Sequence, residues 1–309
     1  MKNVIRTAVL LLLLLSLLVL VPSGAIVAEA EIIELPLDMK DGIKKAIAPY
    51  ADKYLSDWEY EDPSLHVKIE PGRVNDTNYL IARVTIANAS QIRSMFTGTY
   101  GSPSEEWGTT LAKNAKAVLS ISGDSFHKHS NIGYVAKQGK VYRTKCDRTE
   151  DKSGLRYDVL LIDDQGDLHI LPQATNADVE AFPGTVVNGF TFGPGLVIDG
   201  VKQTGFVNMN NASDKPAQRM CIAQVGPLEY LCIYTEGPED DGSVGMTLEQ
   251  FADFVYSFEG VQNAYNLDGG VTTWMVFKQG TNSYAKINGT NPKKRPIADI
   301  LYFATAWQE

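Results

Sequence analysis

Two aspartates stand in glycine-flanked turns at the ends of apolar runs, where a carboxylate is well held for acid/base or nucleophilic work. One is Asp124 in Ile121-Ser-Gly-Asp-Ser-Phe126, which follows the run Ala117–Ile121. The other is Asp268 in Ala264-Tyr-Asn-Leu-Asp-Gly-Gly270, which precedes a run beginning near Thr272. Glycine lets the backbone approach a ligand and take positive φ, and a strand end fixes the neighbouring side chain. Gly-Asp and Asp-Gly are also ordinary turn dipeptides, so spacing alone leaves a structural reading open for both. Arg219 starts a strand in an acidic chain. Its planar fork suits a phosphate held bidentately, or equally a surface partner such as Asp214.

Metal-ligating residue types are sparse. His127 and His129 form half a site with no evident third ligand, and there is no CxxC. Glu236, Glu239, Asp240 and Asp241 crowd one loop, which reads as a solvated turn or a weak calcium site. No cofactor is expected, a structural divalent cation being the alternative.

The elements that position these residues are mostly strands. The chain has 309 residues, 44% hydrophobic and 21% charged, which excludes a disordered chain, a collagen and a disulfide-stapled miniprotein. A formal charge of −9 with no Lys/Arg cluster leaves no field for nucleic acid, so none is expected as a partner. Spacing of Ile43, Ile47, Tyr50 and Tyr54 predicts an amphipathic helix over 37–55. From Pro63 onward short apolar runs bounded by Gly, Asn, Asp or Pro predict ten strands, among them 79–86, 117–121, 133–136, 220–225, 230–234 and 300–304. Helices are predicted over 104–115 and 247–258, the second opened by a Thr247/Gln250 capping box. The expected fold is α+β: strand-rich mixed sheets with a few packed helices in a single catalytic-type domain.

The N-terminus reads as an export signal. Lys2 and Arg6 precede the uncharged run Ala8–Val21, Pro22-Ser-Gly24 breaks it, and Ala28-Glu-Ala30 offers a small-x-small cleavage site. The run is shorter than the roughly 20 residues that span a bilayer. Because the uncharged stretch continues to Ala28, an uncleaved membrane attachment is the alternative. Cleavage after Ala30 removes two cations and one anion and leaves −10 on a secreted or cell-envelope protein. Cys221 and Cys232 flank an apparent hairpin turn at Gly226-Pro227, diagonal on adjacent strands; buried free thiols are expected there, with a disulfide as the alternative. Glycosylation sequons begin at Asn75, Asn88, Asn211 and Asn288.

Taken as an ordered set, seven features carry a resemblance. They are Ile121-Ser-Gly-Asp-Ser-Phe126, Gly133-Tyr-Val, Gly139-Lys-Val-Tyr-Arg143, Phe192-Gly-Pro194, Arg219, Gly245-Met-Thr-Leu248 and Asn266-Leu-Asp-Gly-Gly270. Over about residues 79–304 the chain resembles the phosphodiester glycosidase family, most of all its secreted bacterial branch, with Ser90-Gln-Ile-Arg93 and Thr109-Thr110 ahead of the first motif. With 1–30 read as leader or anchor and 31–70 as an N-terminal helical segment, the resemblance makes 71–309 the glycosidase-like domain. It also implies hydrolysis of a sugar-1-phosphodiester in a surface or extracellular glycan. Asp268 and Asp124 fall on the catalytic positions, and Arg219, Asn266, Gly269, Gly270, Thr272 and Glu236 on the substrate-binding ones.

The chain departs from the family pattern at three places. Ser122 stands for Asn, and Glu236-Gly-Pro238 for Asp-Gly-Arg, which keeps a carboxylate but removes a cation. Val271-Thr272 stands for Gly-Ser; Thr272 keeps the hydroxyl, while Val271 forbids a left-handed backbone. These departures support an alternative: a non-catalytic glycan- or phosphate-binding envelope protein derived from such an enzyme. The implied chemistry suits the residues. A phosphate monoester is a good leaving group, so the site needs a cradle for phosphate and a carboxylate for the oxocarbenium-like centre more than a strong acid.

Overall fold

Alternating apolar residues closed by tight turns dictate hairpins, and hairpins dominate the molecule. The computed structural model describes residues 30–38, 45–100, 104–124, 132–148, 155–206, 214–279, 283–293 and 295–309. The chain divides into two units. One is Met1–Glu31 with Glu309, of which only Ala30, Glu31 and Glu309 are among the described residues; the other is Ile32–Gln308. The leader expected from the sequence therefore lies, apart from Ala30, outside the described residues. Among those described, no helix is long and apolar enough to cross a membrane.

Three sheets build the larger unit. The first has nine strands, in the order Val201–Lys202, Gly195–Ile198, Asn263–Leu267, Arg219–Gly226, Glu229–Thr235, Thr77–Ile86, Leu65–Val74, Glu59–Asp62 and Tyr54–Ser56. The second runs Ser283–Lys286, Met275–Gln279, Leu119–Ser122, Asp299–Phe303 and Ile92–Phe96. The third runs Leu168–Leu171, Val159–Asp163, Val186–Phe190, Gly133–Lys137 and Lys140–Lys145. The strand-rich α+β expectation holds, but the pairings in all three sheets are antiparallel rather than mixed. For neighbours consecutive in the chain the reason is the connections. Two-residue turns such as Asn75-Asp76 and Gln138-Gly139, all four residues at positive φ, join neighbours that can only run antiparallel.

Each sheet turns one apolar face to a common core. Val67, Val84, Ile222 and Tyr265 of the first sheet meet Leu119, Phe277 and Phe303 of the second and Leu160 and Phe190 of the third. One helix covers each outer face: Leu248–Tyr256 on the first sheet through Phe251 and Val255, Gly108–Ala115 on the second through Leu111 and Ala112, and Asn176–Glu180 on the third through Val179. The Thr247/Gln250 capping box forms as its sequence spacing predicts. The helix predicted to start at Ser104 starts at Gly108 instead.

The N-terminal helical segment requires correction. Residues 39–44 of the predicted helix lie outside the described residues, and Ala51–Lys53 forms a single 3-10 turn. Tyr54–Val74 then supplies three strands of the first sheet, so the Leu65–Val74 strand crosses the expected boundary at residue 70. Its alternation of buried Leu65, Val67 and Ile69 against Ile86, Val84 and Ala82 overrides helical spacing further upstream. The Asn288 sequon is also closed. Its side chain is buried, with Oδ1 accepting from Met275 N at 2.6 Å and Nδ2 donating to Thr273 O at 3.1 Å.

Cys221 and Cys232 do sit one register step apart across the hairpin, yet Cys221 packs with Phe251 and Val255 on the outer face and Cys232 in the common core. Side chains on opposite faces of a sheet cannot bridge. Burial also pushes both thiols above the ordinary range. Mass spectrometry of the air-oxidised protein is expected to find both thiols free, and alkylation of either should require denaturant.

Candidate active site

Four segments converge at one end of the sheets. The Leu119–Ser122 strand runs out into Gly123 and Asp124, the Val186–Phe190 strand into a turn at 191–194, and the Asn263–Leu267 strand into Asp268–Gly270; Arg219 opens the strand beside the last. Backbone hydrogen bonds tie them together. Asp268 N donates to Gly123 O at 3.0 Å, Asn266 N to Pro194 O at 3.0 Å and Gly270 N to Gln218 O at 3.1 Å. The three sequence-predicted residues Asp124, Arg219 and Asp268 therefore belong to one connected set of strand ends.

Their side chains differ in setting. Asp124 is only 2% exposed, and its Oδ2 accepts from Thr191 N at 3.0 Å. Asp268 is half-buried. Asn266 is buried with Nδ2 donating to Gly193 O at 2.8 Å, while its Oδ1 accepts no hydrogen bond from the described residues. Arg219 is 7% exposed, which removes the surface-partner reading. Its Nε donates to Met246 O at 3.0 Å and an Nη to Lys215 O at 2.7 Å. Burial lowers its pKa to about 10, far enough above neutrality that the guanidinium stays cationic.

The glycine turn answers one doubt raised by the sequence. The left-handed residue is Gly270, at φ 61°, and Val271 follows it in a 3-10 turn, Gly270–Thr272, without positive φ. Val271 therefore imposes no strain there. Thr272 Oγ1 donates to Gly269 O at 2.7 Å and braces the turn. Gly270 N–H is engaged by Gln218, so of the two glycine amides only that of Gly269 is without a hydrogen bond among the described residues.

The sequence profile of the phosphodiester glycosidase family matches residues 115–304. This chain belongs to the phosphodiester glycosidase family. The fold is similar to that of the catalytic domain of zebrafish N-acetylglucosamine-1-phosphodiester alpha-N-acetylglucosaminidase auto-inhibited by its pro-peptide, with a TM-score of 0.58, 17% identity, and coverage of 84% of this chain and 87% of that one. A hypothetical protein from Synechocystis aligns with a TM-score of 0.49 at 14% identity, over 77% of this chain and 62% of that one. No curated protein matches the chain.

In this phosphodiester glycosidase fold Glu236 follows Thr235, the register partner of Arg219. Its Oε2 accepts from Asn78 Nδ2 at 2.8 Å and Ser243 Oγ at 2.5 Å, and it lines a cleft of about 460 Å³ with Arg73, Tyr79 and Tyr234. Within the acidic loop one carboxylate is engaged by the protein itself. Asp240 accepts from Gln218 Nε2 at 2.7 Å, Gly237 N at 2.9 Å and Asn291 N at 2.7 Å, so amides saturate it. Among the described residues no three His, Cys, Asp or Glu side chains gather for a metal, and His127 and His129 lie outside them.

Two charged residues at this site escape a reading of the sequence: Lys137 and Asp299, both fully buried and paired at 2.6 Å. Their only signal is a charge abutting an apolar strand, as Lys137 follows Gly133–Ala136 and Asp299 precedes Ile300–Phe303. Burial pushes the Asp299 carboxyl up and the Asp124 charge adds to this, while Lys137 opposes it.

Gly123 has no room for a side chain: a Cβ there would sit 2.5 Å from Asp299 Oδ1. Gly123→Ala is expected to cost about 1–3 kcal/mol of stability by overpacking, and turnover should fall with it. Denaturant unfolding and kinetics on the same preparation measure both.

Proposed function

We propose that the protein is an exported phosphodiester glycosidase that hydrolyses a sugar-1-phosphodiester bond in a surface or extracellular glycan. The observation that carries this reading is the convergence of the Asp124, Arg219 and Asp268 segments through the Asp268 N to Gly123 O and Gly270 N to Gln218 O hydrogen bonds. Family membership supports the reaction class, and the leader-like N-terminus supports export.

In this reading Asp268, at the mouth of the strand, attacks or electrostatically stabilises C1 as the phosphate monoester departs. Asp124 serves as base or sugar anchor. The open Oδ1 of Asn266 is an acceptor for a sugar hydroxyl, since a buried acceptor gains most from a donor supplied by the substrate. Arg219 and the Gly269 amide offset the phosphate charge in a chain of net −9. The partner is a phosphate-linked carbohydrate and not nucleic acid, with the N-terminus as a route to membrane attachment if it is retained.

A second reading, non-catalytic binding of the same glycans, draws on one observation. The Arg219 fork already serves the carbonyls of Met246 and Lys215, and Pro238 adds no cation. Incubation with aryl and sugar-1-phosphodiesters separates the two: release of free sugar supports hydrolysis, whereas saturable binding without product supports the second reading.

Two variants test the roles. Asp268→Asn should lower kcat by about 10²–10³, roughly 3–4 kcal/mol, with a melting temperature close to that of the parent, because Asn tolerates turn geometry. Full activity in that variant removes Asp268 from the mechanism. Arg219→Lys keeps charge without the fork and should raise KM, and Arg219→Ala should raise it further and lower stability by stranding two buried carbonyls. Unchanged KM in the alanine variant would place Arg219 outside the phosphate site.

A further inference from the structure

Both candidate acids hang on a single turn, and a buried ion pair holds that turn from within the protein. Lys137 Nζ donates to Asp299 Oδ2 at 2.6 Å, with neither side chain exposed. Asp299 Oδ1 accepts from Asp124 N at 2.8 Å, and Asp299 O from Gly123 N at 3.2 Å. Gly123 O then accepts from Asp268 N at 3.0 Å. The Lys137 ammonium also lies 3.4 Å from the centroid of the Phe190 ring, and Thr191, the next residue, donates its N–H to Asp124 Oδ2. One pair thus connects the backbone of Asp124, the carboxylate of Asp124 and the backbone of Asp268.

Stability alone does not account for such a pair. Desolvating two charges costs several kcal/mol each, and an apolar pair of similar volume is often as stable. What the pair supplies is a fixed acceptor at Oδ1, pinned by the lysine on the other oxygen and seated where Gly123 leaves space. We propose that Lys137 and Asp299 are positioning residues that set the separation of the Asp124 and Asp268 carboxylates. This rests on the phosphodiester glycosidase reading of those two acids. Carboxylate spacing governs glycoside cleavage, with gaps of about 5–5.5 Å and about 6.5–9.5 Å giving different routes, and a misplacement near 1 Å costs on the order of 10² in rate.

Three variants and two measurements test it. Asp299→Glu keeps the charge and lengthens the arm by one methylene; kcat should fall roughly 10- to 100-fold while KM stays within about threefold. Lys137→Met/Asp299→Asn removes both charges and keeps the Oδ1 acceptor, whereas Lys137→Met/Asp299→Leu removes the acceptor as well. The Asn pair should restore kcat to within about tenfold of the wild type, and the Leu pair should not. Amide hydrogen exchange gives a readout independent of turnover. In the Leu pair, protection of the Asp124 and Asp268 amides should drop while that of Ile121 is kept.

A folded Asp299→Glu protein with wild-type kcat overturns the proposal, as do equal amide protection and equal kcat in the two double variants. Should either double variant fail to fold, Asp299→Glu decides. A wild type inactive on every diester sinks the proposed function instead, and amide protection then decides the positioning role by itself.

Discussion

Three antiparallel sheets share one apolar core, and this constraint decides where chemistry can occur. Each sheet gives its inner face to that core and its outer face to a helix, so strand interiors hold few polar groups. Polar side chains able to meet a substrate are confined to strand ends and turns. Asp124, Arg219, Asn266 and Asp268 all occupy such ends, and the hydrogen bonds between their backbones hold the ends together. The rigidity of the site therefore comes from the sheets, as expected when functional groups are mounted on regular elements.

The chain's negative charge balance sharpens what the cations must do. Arg219 stays charged but already donates to two carbonyls, which fixes the plane of its fork instead of leaving it to search. Lys137 cannot assist a phosphate, since it is committed to Asp299 beneath the turn. The two cations are held differently, one by backbone carbonyls and one by a buried carboxylate.

Much of this was legible in the sequence, for identifiable reasons. The Leu65–Val74 strand alternates buried Leu65, Val67 and Ile69 with wetter neighbours, Arg219–Gly226 shows as a short apolar run buried on both faces, and Thr247 with Gln250 announces a helix start that the backbone then adopts. Gly123 and the Asn266–Gly270 turn were visible because a short run of glycine and acid is unusual at a strand end. Lys137 and Asp299 were not, because their meaning lies in a contact across 162 positions of chain. The strands at 54–62 were hidden by a different effect. Tyr50, Ala51 and Tyr54 fit helical spacing, yet pairing with the Leu65–Val74 strand outweighs local periodicity. The antiparallel character of the hairpin pairs was likewise a property of the turns, which become informative only once their positive φ values are known.

The buried amide of Asn288 bears on how the chain can be made. A glycan would have to be joined to the same Nδ2 that donates to Thr273 O, in a site with no solvent. Oligosaccharide transferred to the nascent chain before the Met275–Gln279 strand docks would hold that strand off the core. The sequence therefore suits biosynthesis in which folding proceeds without such transfer. Recombinant production through a glycosylating secretory route selects for molecules that folded faster than they were modified.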